Sequence, residues 1–204
     1  MKIFTTYNNY PCASSLFPSK GEREPVVACL PDTALLKDNK PFFIPDWAEP
    51  CMAYASLVVH VSRLGRCISP RFAYRYYDAV TVGLSFVATP LLETAVASAS
   101  PWSAAVGFDG AAVIGSFVPL DEQTRLDSAT FRVTCDGESI MTSCRQQTPR
   151  WTVDDIIAHV STWSMLRRGD LIYLGYPAQP LKLTPETHLN AYLNETLVFS
   201  MNIK

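Results

Sequence analysis

Two apolar runs limit what this chain can fold into: SLVVHVS at 56–62 and AVTVGLSFVA at 79–88. β-Branched and aliphatic residues follow one another in both with little polar alternation. That is the pattern of a strand covered on both faces, not of one lying on a half-wet sheet. Shorter runs of the same kind are PVVACL (25–30), PFFIP (41–45), AAVIGSFVPL (111–120), TFRVTC (130–135), DLIYLGY (170–176) and LVFSMNI (197–203), most of them punctuated by Pro or Gly. Asp136-Gly137 in CDGES predicts a hairpin turn, and LNETL a second reversal.

Helical signals are fewer. Pro70 suits the first turn of a helix in PRFAYRYYD, where its missing N–H costs nothing. Thr152 with Asp155 three residues on is a weak capping box; Ile156, Ile157, Val160 and Trp163 then recur at helical spacing up to Leu166, with Gly169 as the stop. The expected class is α+β, mostly β, in one domain over 1–204.

With 204 residues, 48 % hydrophobic and 18 % charged, the chain can bury a sizeable core. A net charge of −2 with scattered Lys and Arg gives no basic footprint for nucleic acid. MKIFTTYNNYPC turns polar after four residues, and no apolar run nears the ~18 residues of a membrane span. A cytoplasmic location is expected. Six cysteines, at 12, 29, 51, 67, 135 and 144, form no C-x-x-C pair, so most read as buried thiols.

Six blocks, in order, resemble the fumarylacetoacetate hydrolase family, whose fold is shared with acylpyruvate hydrolases and 2-oxo-acid hydratases and decarboxylases. They are EPVVACLPDTALLKDNKPFFIPD (24–46), LVVHVSRLGRCIS (57–69), YRYYDAVTVG (74–83), PWSAAVGFDGAAVIGSFVPL (101–120), VDDIIAHVS (153–161) and GDLIYLGYPA (169–178). The resemblance implies a mixed β-roll with a few short helices, usually a homodimer, holding a divalent metal. The metal is held by a Glu-x-Glu pair before the LVV strand and an acid in the strand after TVG. Acids at i and i+2 share a strand face, and a third from a neighbouring strand completes an oxygen-rich site for Mg²⁺ or Mn²⁺. Carried onto this chain, those positions are Tyr54, Ser56 and Ser85. None is a carboxylate, and neutral hydroxyls do not offset the dehydration of a divalent ion.

Other implied machinery is replaced too. Asn9 and Tyr10 of the NY-x-x-H element remain, but Ala13 stands for the His and Leu16 for the following Glu. Leu30 and Val106 stand where the family has lysines. In the late T-G-T-P-A-G turn Leu174, Tyr176 and Gln179 depart from the pattern, whereas Gly175, Pro177 and Ala178 keep it. The G-N-T substrate loop falls near 144–148 without a match.

The expectation is a catalytically degenerate family member, without metal or other cofactor, serving as a structural or interaction subunit. It would act as a homodimer or beside an active paralogue. Two alternatives stand: a module that binds a small organic acid, and a working hydrolase, hydratase or decarboxylase of 2-oxo acids, for which Mg²⁺ or Mn²⁺ would be needed. Substitute chemistry is hard to build. Ser56 and His60, four apart on a strand, stand ~13 Å apart, too far for a nucleophile–base pair. Cys51 reads as a buried thiol, His159 as a surface or half-buried helix residue, His188 as a loop residue and Asp109 as a turn residue bonded to nearby backbone. Arg71, Arg75, Tyr76 and Tyr77 read as a solvated helix face.

Overall fold

The computed structural model describes residues 1–10, 23–36, 39–121, 125–143 and 148–204. A curled nine-stranded sheet comprises β1 (Ile3–Tyr7), β2 (Val26–Leu30), β3 (Leu35–Leu36), β4 (Cys51–Val61), β5 (Tyr77–Ala88), β6 (Ala112–Ile114), β7 (Val118–Pro119), β10 (Leu171–Tyr173) and β11 (Leu181–Lys182). A four-stranded antiparallel sheet comprises β8 (Phe131–Cys135), β9 (Glu138–Thr142), β12 (His188–Leu193) and β13 (Thr196–Asn202). Four α-helices among the described residues accompany them: α1 (Pro70–Ala73), α2 (Thr89–Ala97), α3 (Ser103–Val106) and α4 (Val153–Trp163). The mostly-β α+β class holds.

The large sheet runs β2-β1-β10-β4-β5-β6-β3, with β11 added to β4 and β7 to β5. Its spine is the long antiparallel pair of β4 and β5, in which Tyr54 lies opposite Ser85 and Ser56 opposite Gly83. Both strands are covered on both faces, as their unbroken apolar runs require. One face carries Ala53, Ala55, Val59, Leu84 and Phe86 into a core shared with the small sheet and with Ile156, Ile157 and Val160 of α4. The other carries Tyr54, Val58 and Val87 into a second cluster, roofed by Leu92 of α2 and by Ala105 and Val106 of α3.

Local chemistry accounts for several boundaries. Thr152 and Asp155 form the full capping box: Oγ1 accepts from the Asp155 N–H at 3.2 Å, and the carboxylate accepts from the Thr152 N–H at 2.9 Å. Asp136 (φ +49) with Gly137 (φ +89) turns β8 into β9, and Asn194 (φ +45) with Glu195 (φ +68) turns β12 into β13.

Other boundaries differ from the sequence reading. The helix after Thr152 ends at Trp163 rather than Leu166, because Leu166 is drawn into a bridge with Gly65. α1 keeps only four residues of PRFAYRYYD, since β5 claims the chain from Tyr77. PFFIP supplies a single bridge from Phe42 to Ile203. AAVIGSFVPL splits into β6 and β7 at Gly115, where a Cβ would lie 2.7 Å from Val198. DLIYLGY stops pairing at Tyr173, two residues before Gly175 at φ +105. β1, α2 and β12 were not anticipated, and His188 opens β12 instead of lying in a loop. Of the described cysteines only Cys51 is buried; Cys29 and Cys67 are exposed and Cys135 is half-buried. Cys12 and Cys144 lie outside the described residues.

Candidate functional site

β4 and β5 place Tyr54, Ser56 and Ser85 on one face of the sheet. The first two are i and i+2 on β4, and Ser85 sits directly across from Tyr54. Tyr176 arrives from the turn after β10. Its phenol donates to Ser85 Oγ at 2.9 Å, and its ring lies 5.3 Å from that of Tyr54. Tyr7, at the end of β1, closes the other side, 5.9 Å from the Tyr176 ring and 5.5 Å, edge-on, from Trp102. Leu30 and Val106 complete the packing. Thus six positions from separated segments (30, 54, 56, 85, 106 and 176) converge in one buried cluster.

The electrostatics of this cluster are those of a neutral core. Burial pushes the Tyr7 and Tyr54 phenols up to about 12, and the Tyr176 phenol well above its ordinary value, the nearby Tyr7 hydroxyl adding to the rise. All three therefore keep their protons across the physiological range. Ser56 Oγ donates to the Leu57 carbonyl at 2.8 Å, and Ser85 Oγ is engaged by Tyr176.

This donor set does not fit a divalent ion. Mg²⁺ and Mn²⁺ need several hard oxygens, some of them anionic, and here stand one phenol and two hydroxyls already in use. Among the described residues no three His, Cys, Asp or Glu side chains come close enough to form a metal site.

The residues that keep the family pattern have structural work. Asn9 is buried and clamps three segments: Nδ2 donates to the Leu174 carbonyl at 2.7 Å and to that of Trp151 at 3.2 Å, while Oδ1 accepts from the Trp151 N–H at 2.9 Å. Gly175 passes so close that a Cβ would sit 2.8 Å from that of Asn9 and 3.3 Å from the Tyr10 ring.

Asn9, Tyr10 and Leu174 also line a cavity of about 540 Å³ bounded by Leu57, Trp151 and Asp154. Leu57 is one residue past Ser56, so this cavity opens on the opposite face of β4 from the tyrosine cluster. The anticipated pocket therefore divides in two, Leu30, Val106 and Tyr176 packing with the cluster while Asn9, Tyr10 and Leu174 face the cavity. Among the described residues the cavity wall holds the carboxylates of Asp127 and Asp154 and no Lys, Arg or His. Burial pushes the Asp154 carboxyl up, against the Tyr77 hydroxyl bonded to it.

Several remaining candidates are dispersed. His60 Nδ1 pairs with Asp78 at 2.8 Å and takes no part in a site with Ser56. Burial pushes the Cys51 thiol up to about 12, which leaves it inert. His159 lies 3.8 Å from Glu24. Asp109 is exposed in a turn, and among the described residues its side chain has no hydrogen bond to backbone, contrary to the expectation. Ala13, Leu16 and most of the 144–148 stretch lie outside the described residues. Tyr7 and Trp102, unforeseen in the sequence, fill the cluster; an apolar strand ending in an aromatic at Tyr7 was the available signal.

The fumarylacetoacetate hydrolase C-terminal family profile matches residues 2–196. The chain belongs to that family. Family relatives include the mitochondrial oxaloacetate tautomerase of Caenorhabditis elegans, 21 % identical over 182 residues and covering 89 % of this chain and 85 % of the relative. The Arabidopsis thaliana oxaloacetate tautomerase is 24 % identical over 176 residues, covering 86 % and 78 %. Among solved structures, a family protein of Yersinia pestis superposes with a TM-score of 0.91 at 24 % identity, over 100 % of this chain and 93 % of that one. Fumarylpyruvate hydrolase from Pseudomonas aeruginosa, solved with Mn²⁺ and pyruvate, gives 0.85 at 21 % identity, over 100 % and 89 %. The mixed β fold expected from the family is thereby shown.

Proposed function

We propose that this chain is a family member that has given up metal-dependent chemistry and serves as a structural or interaction subunit, as a homodimer or beside an active paralogue. One observation carries the reading: where the resemblance puts the metal, the Tyr176 hydroxyl bonds Ser85 with Tyr54 packed beside it. The position is filled by neutral side chains whose own packing replaces an ion. Reopening it for a 2-oxo acid would expose three aromatic rings, at a cost of several kcal/mol.

A second reading has the relatives in its favour. Oxaloacetate tautomerases and a fumarylpyruvate hydrolase act on small oxo acids, and this chain covers most of their length. Under it, a metal-dependent hydrolase, hydratase or decarboxylase activity survives with different ligands. The third possibility, a binding module for an organic acid, fares worst. The cavity beside Asn9 presents Asp127 and Asp154 to any anion that enters it.

Calorimetric titration with Mn²⁺ and Mg²⁺, paired with an ultraviolet assay of oxaloacetate enol–keto exchange, tests the choice. The expected result is no saturable metal binding and no acceleration over buffer. Binding at micromolar to millimolar levels with metal-dependent turnover establishes the second reading instead. Native mass measurement of the protein from its host reads the subunit role, and a solitary monomer there counts against it.

A further inference from the structure

A cleft of about 610 Å³ lies far along the sheet from the tyrosine cluster, lined by Ser62, Arg63, Tyr74, Arg75, Asp78 and Arg168. Its walls come from three stretches, at 62–63, 74–78 and 168, the first and last held in register by the Gly65–Leu166 bridge, in which each N–H donates to the other's carbonyl, at 3.1 and 2.8 Å. Ser62 is fastened to the α1 turn by its N–H to the Tyr76 carbonyl at 2.8 Å, and Gly169 to Val61 by another of 2.8 Å. The three arginines are thus brought to one cleft by a rigid frame.

Their charge balance is unusual for a chain of net charge −2. Arg63, Arg75 and Arg168 are all exposed, and among the described residues none has a carboxylate within ion-pairing distance. The one acid in the wall, Asp78, is taken by His60 at 2.8 Å. Arg75 is held in place by its Nε–H to the Tyr74 hydroxyl at 3.1 Å and by the Phe72 ring 5.2 Å from its guanidinium. Three guanidinium charges face the single carboxylate of Asp78, so the cleft holds an excess of positive charge, and a bound anion relieves the repulsion among them. Guanidinium groups present planar forks suited to phosphate oxygens, and the Tyr74 hydroxyl adds a neutral donor.

We propose that this cleft binds a multiply charged phosphate group carried on a small molecule, of the pyrophosphate or phosphate-ester class. Its volume suits a ligand of that size. The site stands independently of the lost or retained chemistry at Tyr54 and Ser85, because no residue is shared between them.

Inorganic pyrophosphate is the probe, titrated into the full chain by calorimetry at low ionic strength, with citrate as the carboxylate counterpart. Pyrophosphate is expected to bind with a dissociation constant in about the micromolar to low-millimolar range, more tightly than citrate, and to weaken as salt is raised. The combined Arg63→Ala, Arg75→Ala, Arg168→Ala variant should lose at least about tenfold in affinity. Arg132→Ala, which removes a charge already paired with Glu195 on the small sheet, should bind as the parent does. If the combined variant does not fold, Arg75→Gln alone is measured and should weaken binding. Absence of binding at low salt, unaltered affinity in the arginine variants, or tighter binding of citrate than of pyrophosphate would each overturn the assignment.

Discussion

Tyr176 does two jobs in the cluster, its ring packing against Tyr54 and Tyr7 while its hydroxyl satisfies Ser85. The two contributions separate by substitution. Tyr176→Phe keeps the ring and orphans a buried hydroxyl, so it should cost about 1–2 kcal/mol in urea unfolding. Tyr54→Ala removes a whole ring from a packed site and should cost about 3–5 kcal/mol. The phenols also predict a pH dependence. Their ordinary value is 10.0, and in the folded chain Tyr7 and Tyr54 rise to about 12. The folded state holds these protons more tightly than the unfolded one. Their stabilising contribution is complete below pH 10 and is lost as pH climbs from there through about 12. Melting temperatures across alkaline pH, with tyrosinate absorbance as a second readout, should show the fall beginning near pH 10 and no inflection from these groups at neutral pH. What the sequence disclosed here was the lack of acids at 54, 56 and 85. It could not disclose the aromatic filling, because Tyr7, Tyr54 and Tyr176 meet only once β1, β4 and β10 have paired.

At the scale of elements, legibility tracked how local the cause was. The Thr152 box and the Asp136-Gly137 turn are written in adjacent residues and were readable in advance. The split between β6 and β7 was not, since it depends on Val198 crowding Gly115 from a distant strand. β12 alternates half-buried and buried residues throughout His188–Leu193, with polar His188 and Asn190 on the half-buried side, but Tyr192 on that same side blurs the period. Two elements lend themselves to measurement. Thr152→Ala removes the cap from α4 and should cost about 1 kcal/mol. Asp170 is buried before β10, where it accepts from the Lys2 N–H at 2.8 Å and the Arg167 N–H at 2.9 Å and pairs with the Lys2 ammonium at 3.1 Å. Asp170→Ala strands those donors and should cost about 3–5 kcal/mol, seen as a lowered midpoint in denaturant.

Over the whole molecule, the long β4–β5 pair divides the interior into two cores, each with its own cover. The cluster face is closed by helices and tyrosines, and the opposite face by the small sheet and α4. The fold class, and the family framework behind it, followed from strand runs that keep their order along the chain. The location of the open cavity did not, because a one-residue step from Ser56 to Leu57 moves a side chain to the other core. Amide exchange should respect this division. The amides of β4 and β5 are expected to exchange most slowly, and those of β9, an edge strand largely exposed, among the fastest.

β1 spans Ile3–Tyr7 and lies between β2 and β10, and its parallel partner spans 171–173. Its pairing with that second neighbour therefore closes a loop that reaches from Tyr7 to Leu171. Completion of the large sheet has the slow kinetics of a distant loop closure. Deleting residues 3–7 would not fray an edge; it would open a gap inside the sheet.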